Sequence, residues 1–356
     1  MRIVHSAPHC HEIGNGVVNV AIDLACKQAD AGHTVAFVSN KGSLSGLLAH
    51  HGVRHFEIDQ ESRHAIAIGR AVLSLRRALV DFRPDIVHAH MVPGAAFAWV
   101  ARAGLGFRLI TTVHNAPQRQ AVLMGMGDVV IAVSTTVADS MMRRGISVRK
   151  LRVVKNGPLG SPRRRPRTTD GESIVIRRPS ITTVARLFRQ KGIDDLIAAF
   201  ASVSRSFPDA CLYLVGEGPD RSDFEAQAAA TGCSERIHFV GFVKDPRAYL
   251  EQSDIFVLAS RTDPFPLVIP EAREAGCAIV ATAVDGIPEA LESGEAGILV
   301  PPSNPPAIAA ALARLLANSN ELADWRRRAA ENISWLQLDR VIKETLAVYD
   351  EALARA

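Results

Sequence analysis

Short apolar runs alternate with longer stretches of helical spacing along nearly the whole chain, which is the pattern of a protein built from βαβ units. Ile3 to Ser6 predicts a first strand. The loop PHCHEIGNG follows, and from Gly16 to Ala31 the apolar positions Val17, Val20, Ala21, Leu24 and Ala25 recur at helical spacing. Thr34 to Ser39 predicts the next strand. Arg63 to Phe82 predicts a helix with Ile66, Leu73, Leu75 and Leu79 apolar and Arg70, Arg76 and Arg77 exposed. Asp85 to His90 (DIVHAH) reads as a buried strand, Pro93 to Ala103 as a helix, and Arg108 to Val113 as a strand running into His114. Val129 to Val133 and Leu151 to Val154 add two strands, separated by a helix from Ser134 to Arg144 that Ser134 caps.

Gly160 to Ser180 breaks the rhythm. It is rich in Pro, Arg and Thr and reads as a linker and mobile loop. The alternation then resumes. Strands are predicted at Ser180 to Ala185, Cys211 to Val215, Ile237 to Val240, Ile255 to Leu258, Ala278 to Thr282 and Gly297 to Val300. Helices are predicted up to Ser206, at Pro246 to Gln252, Val268 to Ala275, Pro306 to Ala317 and Glu321 to Ala330, and finally from Trp335 to Ala356. The fold class is therefore α/β, and 356 residues fit two doubly wound domains better than one.

Charge adds an asymmetry that the net +4 conceals. Residues 1–155 carry 18 Lys/Arg against 10 Asp/Glu, residues 156–180 carry 6 against 2, and residues 181–356 carry 17 against 25. A basic N-terminal half is read either as ordinary solvated charge or as a surface for something anionic, such as a membrane or a lipid phosphate. The Arg63–Phe82 helix has the same two readings, surface helix or membrane-lying helix. Aromatic residues make up only 5%, so stacking platforms for nucleic acid are scarce and no nucleic-acid partner is expected. No apolar run reaches membrane-spanning length, and the N-terminus MRIVHSAPHC lacks the pattern of a signal peptide. Five scattered cysteines without a C-x-x-C spacing fit reduced thiols and a cytoplasmic location.

The candidate chemistry gathers at Ser260 to Gly276 (SRTDPFPLVIPEAREAG). A strand, an acidic loop and a helix start follow one another, with Asp263 in the loop and Glu271 about a turn inside the helix. Pro270 is tolerated in that first turn. Helix-start N–H groups favour an anion such as a phosphate. Upstream, Arg186 and Lys191 flank a turn before Gly192, and two cations there make a diphosphate clamp plausible. At Gly14-Asn15-Gly16 the third glycine of a dinucleotide fingerprint is missing, because position 19 is Asn.

These motifs resemble those of retaining GT-B glycosyltransferases of family 4. Asp263, Phe265, Glu271, Ala272 and Gly276 stand in its E-x-F-G-x-x-x-x-E-A-x-A-x-G signature, with Asp for the first Glu and Pro266 for the Gly. Ala185-Arg186-Leu187 through Lys191-Gly192 resembles its G-R-L-x-x-x-K-G, Gly216 to Pro219 its V-G-x-G-P turn, and Asp285 to Glu289 its G-G-x-x-E loop. Thr112-Val113-His114 resembles its T-x-H. The resemblance implies two Rossmann-like domains with an interdomain cleft. It gives an acceptor-binding domain at 1–158, a linker at 159–179, a nucleotide-sugar domain at 180–334, and a helix at 335–356 crossing back to the first domain.

The resemblance also implies roles. Arg186, Lys191, Gly16 and the amides of Leu267 and Val268 would hold the donor diphosphate. Glu271 would bind the ribose, the backbone of Val243 the base, and Asp263 and His114 the sugar, with His88 and His90 candidates for the acceptor side. No D-x-D spacing occurs, so no metal is expected, and no cofactor beyond a nucleotide diphosphate sugar as donor substrate. The expected acceptor is a carbohydrate or, from the basic N-terminal half, a lipid-linked or otherwise anionic molecule at the cytoplasmic membrane face, as in cell-surface polysaccharide or lipopolysaccharide assembly. A non-catalytic GT-B protein that binds a nucleotide sugar, and a nucleotide-sugar epimerase, are the alternatives.

Overall fold

The computed structural model describes residues 1–62, 64–114, 119–164 and 175–355. The chain forms two compact units, Met1–Arg164 with Leu336–Ala356, and Arg165–Trp335. In the first unit the order is β1 (Arg2–His9), α1 (Gly16–Asp30), β2 (Thr34–Asn40), α2 (Ser45–His50), β3 (Arg54–Glu57) and α3 (Ala65–Phe82). Next come β4 (Ile86–Ala89), α4 (Val92–Ala101), β5 (Arg108–Val113), β6 (Val129–Ala132), α5 (Thr135–Arg143) and β7 (Leu151–Val153). The seven strands pair in parallel in the order β3-β2-β1-β4-β5-β6-β7. Parallel strands covered on both faces need apolar residues throughout, and β4 and β6 are buried at every position. Ser134 caps α5 as predicted, its Oγ accepting the Val137 N–H at 3.2 Å.

The sequence reading passes over α2 and β3. β3 is a four-residue edge strand, RHFE, with one apolar residue, and gives almost no period-two signal. β1 runs three residues past the predicted Ser6, because the polar His5 and His9 lie on a strand that is buried from Ile3 onward.

The second unit contains β8 (Ser180–Val184), α6 (Ile193–Val203), β9 (Cys211–Val215), α7 (Arg221–Ala229), β10 (Ile237–Gly241) and α8 (Arg247–Leu250). β11 (Ile255–Leu258), α9 (Val268–Glu274), β12 (Ala278–Thr282), α10 (Ile287–Ala290), β13 (Ile298–Val300), α11 (Pro305–Ala317) and α12 (Ser319–Ala330) complete it. Its sheet is again parallel, in the order β10-β9-β8-β11-β12-β13. Ile181, Leu212, Leu214, Ile255, Val257 and Val280 on the strands join Phe200 of α6 and Leu312 of α11 in one core.

The last helix, α13 (Leu338–Ala354), belongs to the first unit. Val341, Ile342, Val348 and Tyr349 pack with Ile3, Ile86, Ile110 and Val129 of its sheet. The sequence predicts one helix from Trp335, but Ile333–Leu336 is a separate 3-10 turn. Trp335 instead donates its indole N–H to Glu292 at 3.0 Å in the second unit.

From the sequence alone the arginine cluster of the linker reads as solvated, but Arg163 forks onto Asp23 of α1 at 2.8 and 2.9 Å, and that carboxylate is buried. Ser161 adds a third bond to Asp23 at 2.8 Å. Arg164 is half-buried, and Arg165 and Arg167 lie outside the described residues.

Candidate active site

In each sheet the chain starts with an inner strand and builds outward in both directions. This leaves a switch point between β1 and β4 in the first unit and between β8 and β11 in the second. Open parallel sheets bind ligands outside the carboxyl ends of the strands at such points. The predicted site residues lie at these ends. Gly16 follows β1 and His114 follows β5. Arg186 and Lys191 follow β8, and Val243 follows β10. Asp263, Leu267, Val268 and Glu271 follow β11.

In the second unit the loops after β8 and β11 meet. Lys191 Nζ lies 2.6 Å from Asp263 Oδ2, an ion pair whose carboxylate is buried and whose ammonium is a quarter exposed. The pair holds a lysine side chain at the mouth of the switch point. Arg186 is exposed, its guanidinium 4.4 Å from the centre of the Phe188 ring. Gly192 sits behind Lys191 with φ +64°, and a Cβ there would come within 2.0 Å of the Ala259 carbonyl oxygen. Only glycine lets the two loops approach this closely.

Arg261 ties the same loops together. It bonds Asp194 at 2.9 Å, Asp195 at 2.7 Å and the Arg189 carbonyl. Asp285, at the loop after β12, accepts the Asp263 N–H at 2.8 Å and the Thr262 hydroxyl at 2.7 Å. Its φ of +43° lies in the left-handed region, which Asp tolerates better than most residues. Asp285 thus takes up a conformation suited to glycine while its carboxylate buttresses the Asp263 turn. Sequence reading missed this role, although the departure from the G-G-x-x-E pattern marked the position.

Glu271 is in the first turn of α9, half-buried. Leu267 begins that helix without a side-chain cap. Val243 is half-buried beside the exposed Phe242, and Gly241 just before it accepts the Gly216 N–H at 2.8 Å, linking the turns after β9 and β10.

In the first unit His114 is half-buried, and its Nε2 lies 3.2 Å from His90 Nδ1. His90, His88 and His5 are buried and mutually stacked or tilted. His88 bonds Tyr349 Oη and Thr112 Oγ1, each at 2.6 Å, so both ring nitrogens of this buried side chain are engaged within the core. His5, His88 and His90 bring ring nitrogens within 4.8 Å of one another, as a metal ion would require. Those nitrogens are already bonded to Gln28, Tyr349, Thr112, His114 or one another. Burial pushes the imidazolium of His5 down to about 4 and that of His114 to about 3, and holds His88 and His90 well below the ordinary value.

The folded state therefore binds fewer protons than the unfolded chain below about pH 6.5, and stability falls with pH in that window. The three fully buried rings together are expected to lose about 4 kcal/mol per pH unit there. Urea midpoints should be level above about pH 7 and drop steeply by about pH 5.5. Equal midpoints at both ends of that range would contradict neutral burial.

Comparison with known proteins agrees with the topology. Residues 14–157 match the family model described as Glycosyltransferase Family 4, and residues 168–332 match Glycosyl transferases group 1. The chain is 30% identical over 292 residues to a glycogen synthase of Mycobacterium tuberculosis, an alignment covering 74% of this chain and 68% of that protein. The chain belongs to glycosyltransferase family 4. It is 26% identical to the lipopolysaccharide core biosynthesis glycosyltransferase LpsE of Rhizobium meliloti, over 70% of this chain and 73% of that one. The structure of Anabaena Alr3699/HepE in complex with UDP-glucose superposes with a TM-score of 0.81 at 18% identity, covering 99% of this chain and 100% of that chain.

As a family 4 member this protein is an enzyme that transfers sugars, on the GT-B fold. Among the predicted site residues the structure brings Lys191 into direct contact with Asp263, and His90 with His114. Arg186 stands five residues before Lys191 in the same loop. The network around His114 was not foreseen, because its members come from positions 5, 28, 90 and 349.

Proposed function

We propose that this glycosyltransferase moves a sugar, with retention of anomeric configuration, from a nucleoside diphosphate sugar to a carbohydrate or lipid-linked acceptor. The observation that supports it best is the Lys191–Asp263 pair at the β8/β11 switch point, with Arg186 in the adjoining loop. As the C1–O bond breaks, its electron pair leaves with the diphosphate and the sugar becomes oxocarbenium-like. Arg186, Lys191 and the amides of Leu267 and Val268 offset the charge on the leaving group, as preorganised donors do. Gly16 lets backbone approach the same diphosphate. Glu271 accepts hydrogen bonds from the ribose hydroxyls, and the backbone at Val243 meets the base edge. Asp263 and His114 contact the sugar. A UDP-glucose complex of the HepE neighbour supports a nucleotide sugar as donor, and the lipopolysaccharide-core relative supports a cell-envelope acceptor.

A thermal-shift screen with UDP, GDP, ADP, CMP and NAD tests the donor half. A ligand at about 100 times its Kd stabilises by about 2.7 kcal/mol. The expected result is a shift with one nucleoside diphosphate that disappears in Arg186→Ala and Glu271→Ala. A shift indifferent to both substitutions would rule out this site.

The acceptor half draws on α3. Ile66, Leu73 and Val80 are exposed and seven residues apart, so they form one stripe. The stripe lies opposite the buried face of Ala71, Leu75, Leu79 and Phe82. Arg70 and Arg77 flank it, both exposed, and Arg76 crosses to the Ala101 and Ala103 carbonyls at the end of α4, where Trp99 and Val100 are also exposed. An apolar stripe edged by arginines with a nearby Trp suits the headgroup region of an anionic bilayer. No described helix is long and apolar enough to cross a membrane. Vesicles containing phosphatidylglycerol are expected to retain the wild type at low salt and to release Leu73→Ser/Val80→Ser. Retention of both proteins alike, or of neither, would remove the membrane from the proposal.

A further inference from the structure

A continuous run of hydrogen bonds connects α13 to His114. Gln28 Nε2 donates to Tyr349 Oη at 3.5 Å, and Gln28 Oε1 lies 2.8 Å from His5 Nε2. His5 Nδ1 is 3.0 Å from His90 Nε2, and His90 Nδ1 is 3.2 Å from His114 Nε2. Gln28, His5, His90 and Tyr349 are each no more than 2% exposed, so water offers these atoms no alternative partners.

In a neutral imidazole one nitrogen donates and the other accepts. Fixing a single proton therefore fixes the rest. An amide oxygen only accepts, so Gln28 Oε1 takes the His5 Nε2–H. His5 Nδ1 then takes the His90 Nε2–H, and His90 Nδ1 takes the His114 Nε2–H. His114 is left with a lone pair on Nδ1, an atom without a partner among the described residues. Turning the Gln28 amide over would reverse every proton in the series and put an N–H at His114 Nδ1. Tyr349 selects between the two arrangements. Tyr349 Oη lies 2.6 Å from His88 Nδ1, and an O–H given to that nitrogen leaves the phenol oxygen to accept from Gln28 Nε2. The amide oxygen is then turned towards His5.

We propose that Tyr349, Gln28, His5 and His90 are positioning residues that set the tautomer of His114, so that its Nδ1 accepts a hydrogen bond from a hydroxyl of the transferred sugar. The proposal rests on the reading of His114 as a sugar-contacting residue. Burial keeps all these rings neutral near pH 7, and a neutral ring can accept where an imidazolium can only donate. Orientation of a site histidine by its second nitrogen follows the logic by which outer partners fix ligand histidines elsewhere.

The test is the two-bond proton–nitrogen spectrum of the whole protein labelled with 15N-histidine, near neutral pH. The expected wild-type result is His114 as the neutral Nε2–H tautomer. Gln28→Met and Tyr349→Phe should each shift it towards the Nδ1–H form, and kcat should fall by about 10–100-fold with the donor KM little changed. Gln28→Glu, which keeps an acceptor facing His5, should retain the tautomer. A merely structural network would lower the melting temperature of these variants and leave the His114 tautomer alone. An Nδ1-protonated His114 in the wild type, or an unchanged tautomer in both folded variants, overturns the proposal.

His114→Ala tests the underlying reading separately. It is assayed with whichever of UDP-glucose, GDP-mannose and ADP-glucose the wild type turns over fastest. Turnover equal to the wild type would show that His114 does not touch the sugar. It would deprive the tautomer of any part in the reaction, whatever the spectra show.

Discussion

Lys191→Met and Arg186→Ala are each expected to lower kcat/KM for sugar transfer by about 10²–10³-fold, the loss seen when one preorganised partner of a developing charge is removed. The two should differ in stability. Arg186 is exposed, and its loss is expected to change folding free energy by no more than about 0.5 kcal/mol. Lys191 neutralises a buried carboxylate, and without it Asp263 retains its own turn and a 3.4 Å contact from Ser260 Oγ. Leaving a buried charge unpaired is costly, so Lys191→Met should also lower the urea midpoint. Adding Asp263→Asn should restore the midpoint but not the rate. Recovery of the rate in the double variant would mean that Lys191 serves Asp263 and not the diphosphate.

Arg273→Met is expected to destabilise the protein by about 3–5 kcal/mol, the range for removing one partner of a buried charged network. Arg273 is completely buried. Its Nε donates to Ala329 O and its Nη1 to Ala290 O, both at 2.9 Å. Nη2 reaches Glu292 Oε1 and Glu331 O, each at 2.7 Å. One side chain on α9 thus satisfies the carbonyl ends of α10 and α12 and an acid beyond α10. Lysine cannot replace that planar fork, so Arg273→Lys should recover little. A urea-derived loss below about 1 kcal/mol for Arg273→Met would show that these groups find other partners.

Arg273 also marks where sequence reading stops. In EAREAG it looks like one more helix-surface base, and nothing local distinguishes it from Arg186, which is exposed. The strands were legible because buried parallel strands are short, apolar and regularly spaced. The edge strand β3 and helix α7, whose RSDFEAQAA buries only Phe224 and Ala228, carry too little apolar periodicity to register. The loops of the site were legible from their order along the chain, since Arg186, Lys191 and Asp263 each follow a strand. Their pairing was not, because 72 residues separate Lys191 from Asp263. His5 on β1, His88 on β4, and His90 and His114 just beyond β4 and β5 were readable as polar residues on or at the ends of buried strands. The partners that make them a network lie on α1 and α13, more than twenty residues away in every case.

The helix α13 has a consequence for how the protein is made. A ribosome delivers the whole of the second unit before Tyr349, Val348 and Ile342 emerge to fill the first unit's core. The first sheet must therefore wait, its apolar surface near Ile3, Ile86, Ile110 and Val129 uncovered, while about half the chain is still being synthesised. The second unit carries its own core in one uninterrupted stretch and can close before that wait ends. Synthesis order and assembly order are thus reversed: the half translated first is the half completed last.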